Sequence, residues 1–239
     1  MALDFPNSPA ANQVFPASPL TGVSSWMWDG SAWTIPPLIP KVVTLNATGS
    51  KLYQGTLATS LNYTGLTIAA GTNLGMVVAV DWDSGAAPTG LSLTWDSGGS
   101  NQAMTRIINN GLVELWGLVN PAVGNKTLAL AWTTATRVFV AGMAFNGVDQ
   151  AGGATSFPNS VSSGSATTLT VTSAIGRMVM CCGTTGTAIG TITGTTIFSD
   201  AVSGSFINAF ANYDNGAASV VIGNGTGSGP RVATDIKAG

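Results

Sequence analysis

Asp81-Trp82-Asp83 is the stretch of this chain whose residue types and spacing come nearest to a reactive site. Alternate residues of a strand share a face, so the two carboxylates stand ~7 Å apart at about 3.3 Å per residue. Carboxylates at that separation can clamp a hard cation or flank a glycosidic bond. At a loop rim, the indole could stack on a sugar ring while the carboxylates bind its hydroxyls. A working site needs further ligands or a tuned acid, and the single glutamate, Glu114, sits in a different strand. The plainer reading of Asp81, Trp82 and Asp83 is a strand that ends in a solvated loop, because Ser84-Gly85 follow at once. Asp96 after Trp95 and Asp200 after Phe198 read the same way, as turn starters.

Other chemistries are closed off by composition. There is no histidine, hence no Ser-His-Asp triad, no Cys-His pair and no His-ligated metal. The two cysteines, Cys181 and Cys182, are adjacent in the apolar run Met178–Cys182. In a strand they point to opposite faces and read as small core hydrophobes rather than as a disulfide. Gly183-Thr184-Thr185-Gly186 and Gly223-Asn224-Gly225-Thr226-Gly227 are glycine-rich, but no helix follows either to supply a phosphate-binding dipole. Asn46, Asn62, Asn125 and Asn224 head Asn-x-Thr sequons, which carry no weight in a chain so rich in threonine. No catalytic residue, metal ligand or cofactor is therefore assigned.

Charged residues are 8% of the 239 and the net charge is −2, which excludes the electrostatic footprint of a nucleic-acid binder. No run approaches the length of a membrane helix, and the first ten residues lack the pattern of a secretory signal. With 45% hydrophobic residues the chain can build a large core, yet its surface must be Ser, Thr, Asn, Gly and backbone. So little charge gives weak protection against association, which fits a surface buried in an assembly.

Long helices have almost nothing to be built from, and the pattern is strand, turn, strand. Strands are expected at 42–46, 52–59, 65–69, 75–82, 90–95, 112–119, 126–132 and 137–146, then at 167–172, 176–183, 188–192, 195–199, 205–213 and 218–223. Leu91, Leu93 and Trp95 share one face, as do Leu128, Leu130 and Trp132. Met76–Val80 and Val138–Phe145 are apolar on both faces and read as central strands between two layers. A faint echo links 74–80 to 175–181, as the two sheets of a sandwich or jelly roll would show. The expected fold is all-β: a two-sheet β-sandwich of jelly-roll type over residues 41–239, preceded by an extended Pro/Trp-rich arm over residues 1–40.

That arm holds seven of the eleven prolines and three of the seven tryptophans. Trp26-Met27-Trp28 before Asp29-Gly30, with Trp33 returning, reads as a tight hairpin, and Pro36, Pro37 and Pro40 as a stiff connector. Forty residues build little core alone, so the rings must pack on the main domain or on a partner. Leu3-Asp4-Phe5-Pro6-Asn7-Ser8-Pro9, Asn12-Gln13-Val14-Phe15 and Trp26-Met27-Trp28-Asp29-Gly30-Ser31-Ala32-Trp33 together resemble a segment of tail-fibre and other virion structural proteins of tailed bacteriophages. That segment runs FP-x-SP, then GQ-x-(F/Y), then W-x-WDG-x-x-W. The match covers about 30 of the 239 residues and departs at Ala11-Asn12, where Gly usually stands before Gln. More loosely, the Gly/Thr/Ser-rich remainder is similar to β domains of phage appendage proteins.

The resemblance implies a non-enzymatic protein of the virion surface, a tail or head fibre in contact with other virion proteins of the tail, baseplate or capsid. Phe5, Pro6, Phe15, Trp26, Trp28 and Trp33 would be its assembly-docking residues and a homotrimer its state, with a host surface glycan as a possible further partner. The alternatives are a capsid decoration (cement) protein and a carbohydrate-binding module with Asp81, Trp82 and Asp83 at its ligand rim. Neither nucleic acid nor membrane is expected as a partner.

Overall fold

Thr, Val, Ile and the aromatic residues favour pleated chain, and strands make up 57% of this computed structural model against 2% helix. It describes residues 5–15, 26–34, 41–83, 89–186, 189–201 and 208–239, and the chain divides into two compact units, 1–40 and 41–239. The expected connector at Pro36, Pro37 and Pro40 lies outside the described residues.

The first unit contains β1 (Val14–Phe15), β2 (Trp26–Trp28) and β3 (Trp33–Thr34), paired antiparallel in that order. The hairpin turns on Asp29, whose carboxylate accepts the backbone N–H of Ser31 and Ala32 and the Ser31 hydroxyl. Those hydrogen bonds hold the exposed Asp29 carboxyl below the usual carboxylate range.

In the second unit an eight-stranded sheet follows the path β10-β11-β7-β13-β8-β9, with β4 and β5 added along β13. Its strands are β4 (Thr44–Thr48), β5 (Leu52–Tyr63), β7 (Gly75–Asp83), β8 (Ser92–Trp95), β9 (Gln102–Ala103), β10 (Thr105–Asn109), β11 (Val113–Val119) and β13 (Leu128–Asn146). A small pair, β6 (Thr67–Ile68) with β12 (Gly124–Asn125), stands beside it. Only Met104 separates β9 from β10, and β9 pairs with β8 while β10 pairs with β11. The sheet therefore folds over and closes on itself as a flattened barrel. Its interior holds Met76, Val78, Val80, Trp82, Leu93, Trp95, Trp116, Leu130 and Trp132.

β13 serves both layers of that barrel. Its first half pairs with β8 and its second with β7, while β5 runs along both. The register against β5 breaks between Ala131 and Thr136, where the strand bends. Two strands expected at 126–132 and 137–146 are thus one strand with a corner.

After β13 come the single-turn helix α1 (Gly153–Ser156) and β14 (Val161–Ser163). A five-stranded antiparallel sheet then runs β14-β20-β16-β18-β17, from β16 (Met178–Thr185), β17 (Thr195–Ala201), β18 (Asn208–Asn215) and β20 (Arg231–Ile236). One face of this sheet packs on the outer face of the barrel. Val77, Ala79, Leu115, Phe139 and Met143 meet Met178, Met180, Cys182, Ala211 and Val232 there. The other face carries a two-stranded cover, β15 (Thr168–Thr172) with β19 (Ser219–Gly223), over Val179, Cys181, Phe210 and Ala233. Residues 189–192 of the expected strand 188–192 are not in a strand, although Ile189 and Ile192 pack on this third core.

Cys181 and Cys182 are both buried free thiols on opposite faces of β16. β7 and β16, the echoed segments, are both buried at every position, as is β20.

Candidate functional site

Pairing in the first unit sets the faces of its strands. Phe15 lies opposite Trp26 and Trp28 opposite Trp33, so four rings share one side of the small sheet. Phe5 lies over them, with ring centroids 5.3 Å from Phe15, 5.8 Å from Trp26 and 5.1 Å from Trp33, the last pair stacked. Phe15 and Trp28 each add an edge or tilted contact to Trp33, at 6.1 Å and 5.7 Å. Phe5, Pro6, Trp26, Trp28 and Trp33 are half-buried, as is Phe15, so each ring keeps surface for a further contact. The Trp26 indole N–H is shielded and has no acceptor.

The turn into β1 explains the residues before it. Ala10 N–H donates to Gln13 Oε1 and Gln13 N–H to the Ala10 carbonyl, while the backbones of Asn12 and Gln13 bond Trp28. Asn12 takes φ +65°, the left-handed region that glycine enters most easily and asparagine next. That is the position where the resembling segments carry Gly before Gln. The substitution keeps the turn.

Asp81, Trp82 and Asp83 do not form a rim. β7 is paired on both edges, with β11 and β13, and covered on both faces, which leaves Asp81 and Trp82 at 0% and Asp83 at 2% exposure. Trp82 points into the barrel, edge-on to Trp132 at 5.2 Å. Asp83 accepts the Tyr53 hydroxyl at 2.7 Å. Asp81 faces the five-stranded sheet beside Cys182, with neither oxygen hydrogen-bonded, and burial pushes its carboxyl well above the usual carboxylate range. It lies in the core, with no surface for a sugar or a cation. The sequence placed these residues at a loop because Ser84 and Gly85 follow; strand pairing and cover override that local signal.

The polar centre of the barrel is Glu114, which sequence reading left unassigned. It shares the inward face of β11 with Trp116, and its carboxylate accepts the indole N–H of Trp82 at 3.2 Å and of Trp116 at 3.1 Å. Burial raises the Glu114 carboxyl, and Arg106 at 3.8 Å opposes that shift. The lone glutamate in a run of apolar residues was the available signal. It supplies the acceptor for two of the buried indoles, whereas the Trp132 N–H in the same interior has none.

A mainly apolar cavity of about 340 Å³ lies between β10 and the segment after α1, lined by Arg106, Ile107, Ala154, Phe157, Pro158 and Asn159 among others. No group of three or more His, Cys, Asp or Glu able to hold a metal occurs among the described residues. Nor is any described helix long and apolar enough to cross a membrane. No family model matches the chain, and neither a curated protein nor a solved structure matches it.

Proposed function

We propose that this chain is a non-enzymatic structural protein of a tailed-phage particle, a tail or head fibre docked through residues 1–40. The observation that carries the reading is the one-sided aromatic surface of Phe5, Phe15, Trp26, Trp28 and Trp33, built from the residues of the phage-like segment. Aromatic anchors of this kind dominate interface energetics. The 8% charge supports the same reading, because a surface so poor in charge suits permanent assembly. Within the proposal, the packed antiparallel sheets of residues 41–239 form a sandwich of jelly-roll type, the protein is a homotrimer, and its partners are other virion proteins at the particle surface.

The test is incorporation. Particles are assembled with chains carrying Trp28→Ala and Trp33→Ala, and the bound chain is quantified after purification. The expected outcome is loss from the particle of a protein that still melts cooperatively. Unchanged incorporation would overturn the docking role. Copy number separates the readings further: tens or fewer per particle mean a fibre, hundreds a capsid decoration protein. A glycan array checks contact with a host surface.

A further inference from the structure

Three side chains in the core between the five-stranded sheet and the β15–β19 pair carry polar atoms with no partner. Arg231, at the start of β20, is fully buried. Its guanidinium crosses Gly183 of the neighbouring β16 to stand 5.5 Å from the Phe210 ring on β18. A Cβ on Gly183 would come within 2.8 Å of both Arg231 and Phe210, so the glycine makes that crossing possible. Arg231 Nη2 donates to the Gly227 carbonyl at 2.5 Å, whereas Nε and Nη1 donate to nothing.

Asn212 stands two residues along β18 from Phe210, on the same face. Its Nδ2 donates to the carbonyls of Thr193 and Gly223, and its Oδ1 has no donor. Asn224, the residue after Gly223, is fully buried with both Nδ2 and Oδ1 unpaired. Both Asn224 and Gly227 belong to the glycine-rich loop 223–227. No helix stands behind that loop; a buried arginine contacts it instead.

A guanidinium stays charged at any pH the fold survives, and a charge held out of water needs a counter-charge. The neighbours do not supply one. Cys181, next to Arg231 on this face, has its thiol pushed up to about 12 by burial and is neutral. Asp235, four residues along β20 on the same face, is engaged by Arg177 and Ser173, both at 2.6 Å. No ion pair to Arg231 exists among the described residues. Water would fill the hydrogen-bonding positions but leave the charge uncompensated.

We propose that Arg231 Nε and Nη1, together with the Asn224 carboxamide, hold a chloride-sized inorganic anion enclosed beneath the loop 223–227. Because Arg231, Asn212 and Asn224 have no exposure, the ion enters as the chain folds and exchanges only when the loop opens.

The experiment uses the full chain crystallised in sodium bromide, with diffraction measured at the bromine edge. The expected result is one enclosed anomalous peak within hydrogen-bonding distance of Arg231 Nε and Nη1. Arg231 bonded to water, or directly to Asn212 or Asn224, with no such peak, overturns the proposal, as do peaks at the surface alone. In solution, wild type melts higher in sodium chloride than in sodium gluconate of equal ionic strength, and Arg231→Met removes the difference. An equal difference in wild type and variant overturns the proposal. Should Arg231→Met not fold, Asn224→Ala serves, with a reduced chloride effect expected.

Discussion

Glu114 and Asp81 are buried carboxyls one layer apart with opposite circumstances. Glu114 satisfies two indoles, so Glu114→Gln, which keeps one acceptor and turns an amide N–H₂ toward the other indole, leaves a buried N–H unpaired. The expected loss is about 1–3 kcal/mol, read from the shift in urea midpoint. Asp81 has no such partners, and burial raises its carboxyl well above the usual carboxylate range. A carboxyl whose folded pKa lies above its unfolded value lowers stability as pH rises through the unfolded pKa toward the folded one. Asp81→Val removes that slope. Melting temperatures of variant and wild type are expected to lie closest below about pH 4, with the variant gaining on wild type as pH rises from there. A 1 kcal/mol gain is about 2–4 °C in a domain of this size. A gap that stays constant with pH would mean that Asp81 is not the group responsible. Tyr63 gives a separate reading. Its hydroxyl donates to the Ser50 carbonyl at 2.6 Å, and burial raises its pKa to about 12, so its ultraviolet ionisation step is expected well above that of an exposed tyrosine.

At the level of strands, the sequence showed what its periodicity could carry. The alternation of Leu93 and Trp95 and of Leu128, Leu130 and Trp132 marks residues that do face one core. The doubly apolar runs are β7 and the second half of β13, between two layers as expected. Three elements were not legible. Gln102–Asn109 is polar and partly exposed, with no period-two signature, yet it closes the barrel. Residues 133–135 are exposed between two apolar halves and read as a loop, although they are the corner of one strand. β20 carries Arg231 and Asp235 on a fully buried face, which composition alone argues against. The site divides similarly: the arm's hairpin was visible from Asp29-Gly30, while the burial of Asp81, Trp82 and Asp83 depended on partners distant in sequence. Tight approach between elements also gives a prediction. A Cβ on Gly117 of β11 would meet the Phe157 ring at 2.5 Å. Gly117→Ala is expected to cost about 1–3 kcal/mol by overpacking, measured by chemical denaturation.

Among the described residues, several of the few charges are paired at close range. Lys126 pairs with Asp96 at 3.2 Å and Lys237 with Asp149 at 2.8 Å. Hydrogen bonds from Ser100 lower the Asp96 carboxyl and the Lys237 contact lowers that of Asp149. Their contribution is present above the unfolded carboxylate pKa and is lost as pH falls through the folded one, opposite in sign to that of Asp81. Both ion pairs are at or near the surface, so added salt is expected to diminish the lysine contributions and to leave the Ser100 hydrogen bonds and the Asp81 slope.

The largest core is a seam between halves of the chain: residues from 77 to 145 supply one wall and residues from 178 to 236 most of the other. During synthesis the first wall emerges with its outer apolar face bare, and stays so until β16, β18 and β20 have followed. A nascent chain arrested after Asn146 is therefore a sticky intermediate. Expressed alone, residues 1–150 are expected to sediment as aggregate, and co-expression of 151–239 to return them to the supernatant. Translation speed and chaperone supply, rather than the stability of the finished protein, then govern how much of it a cell can make.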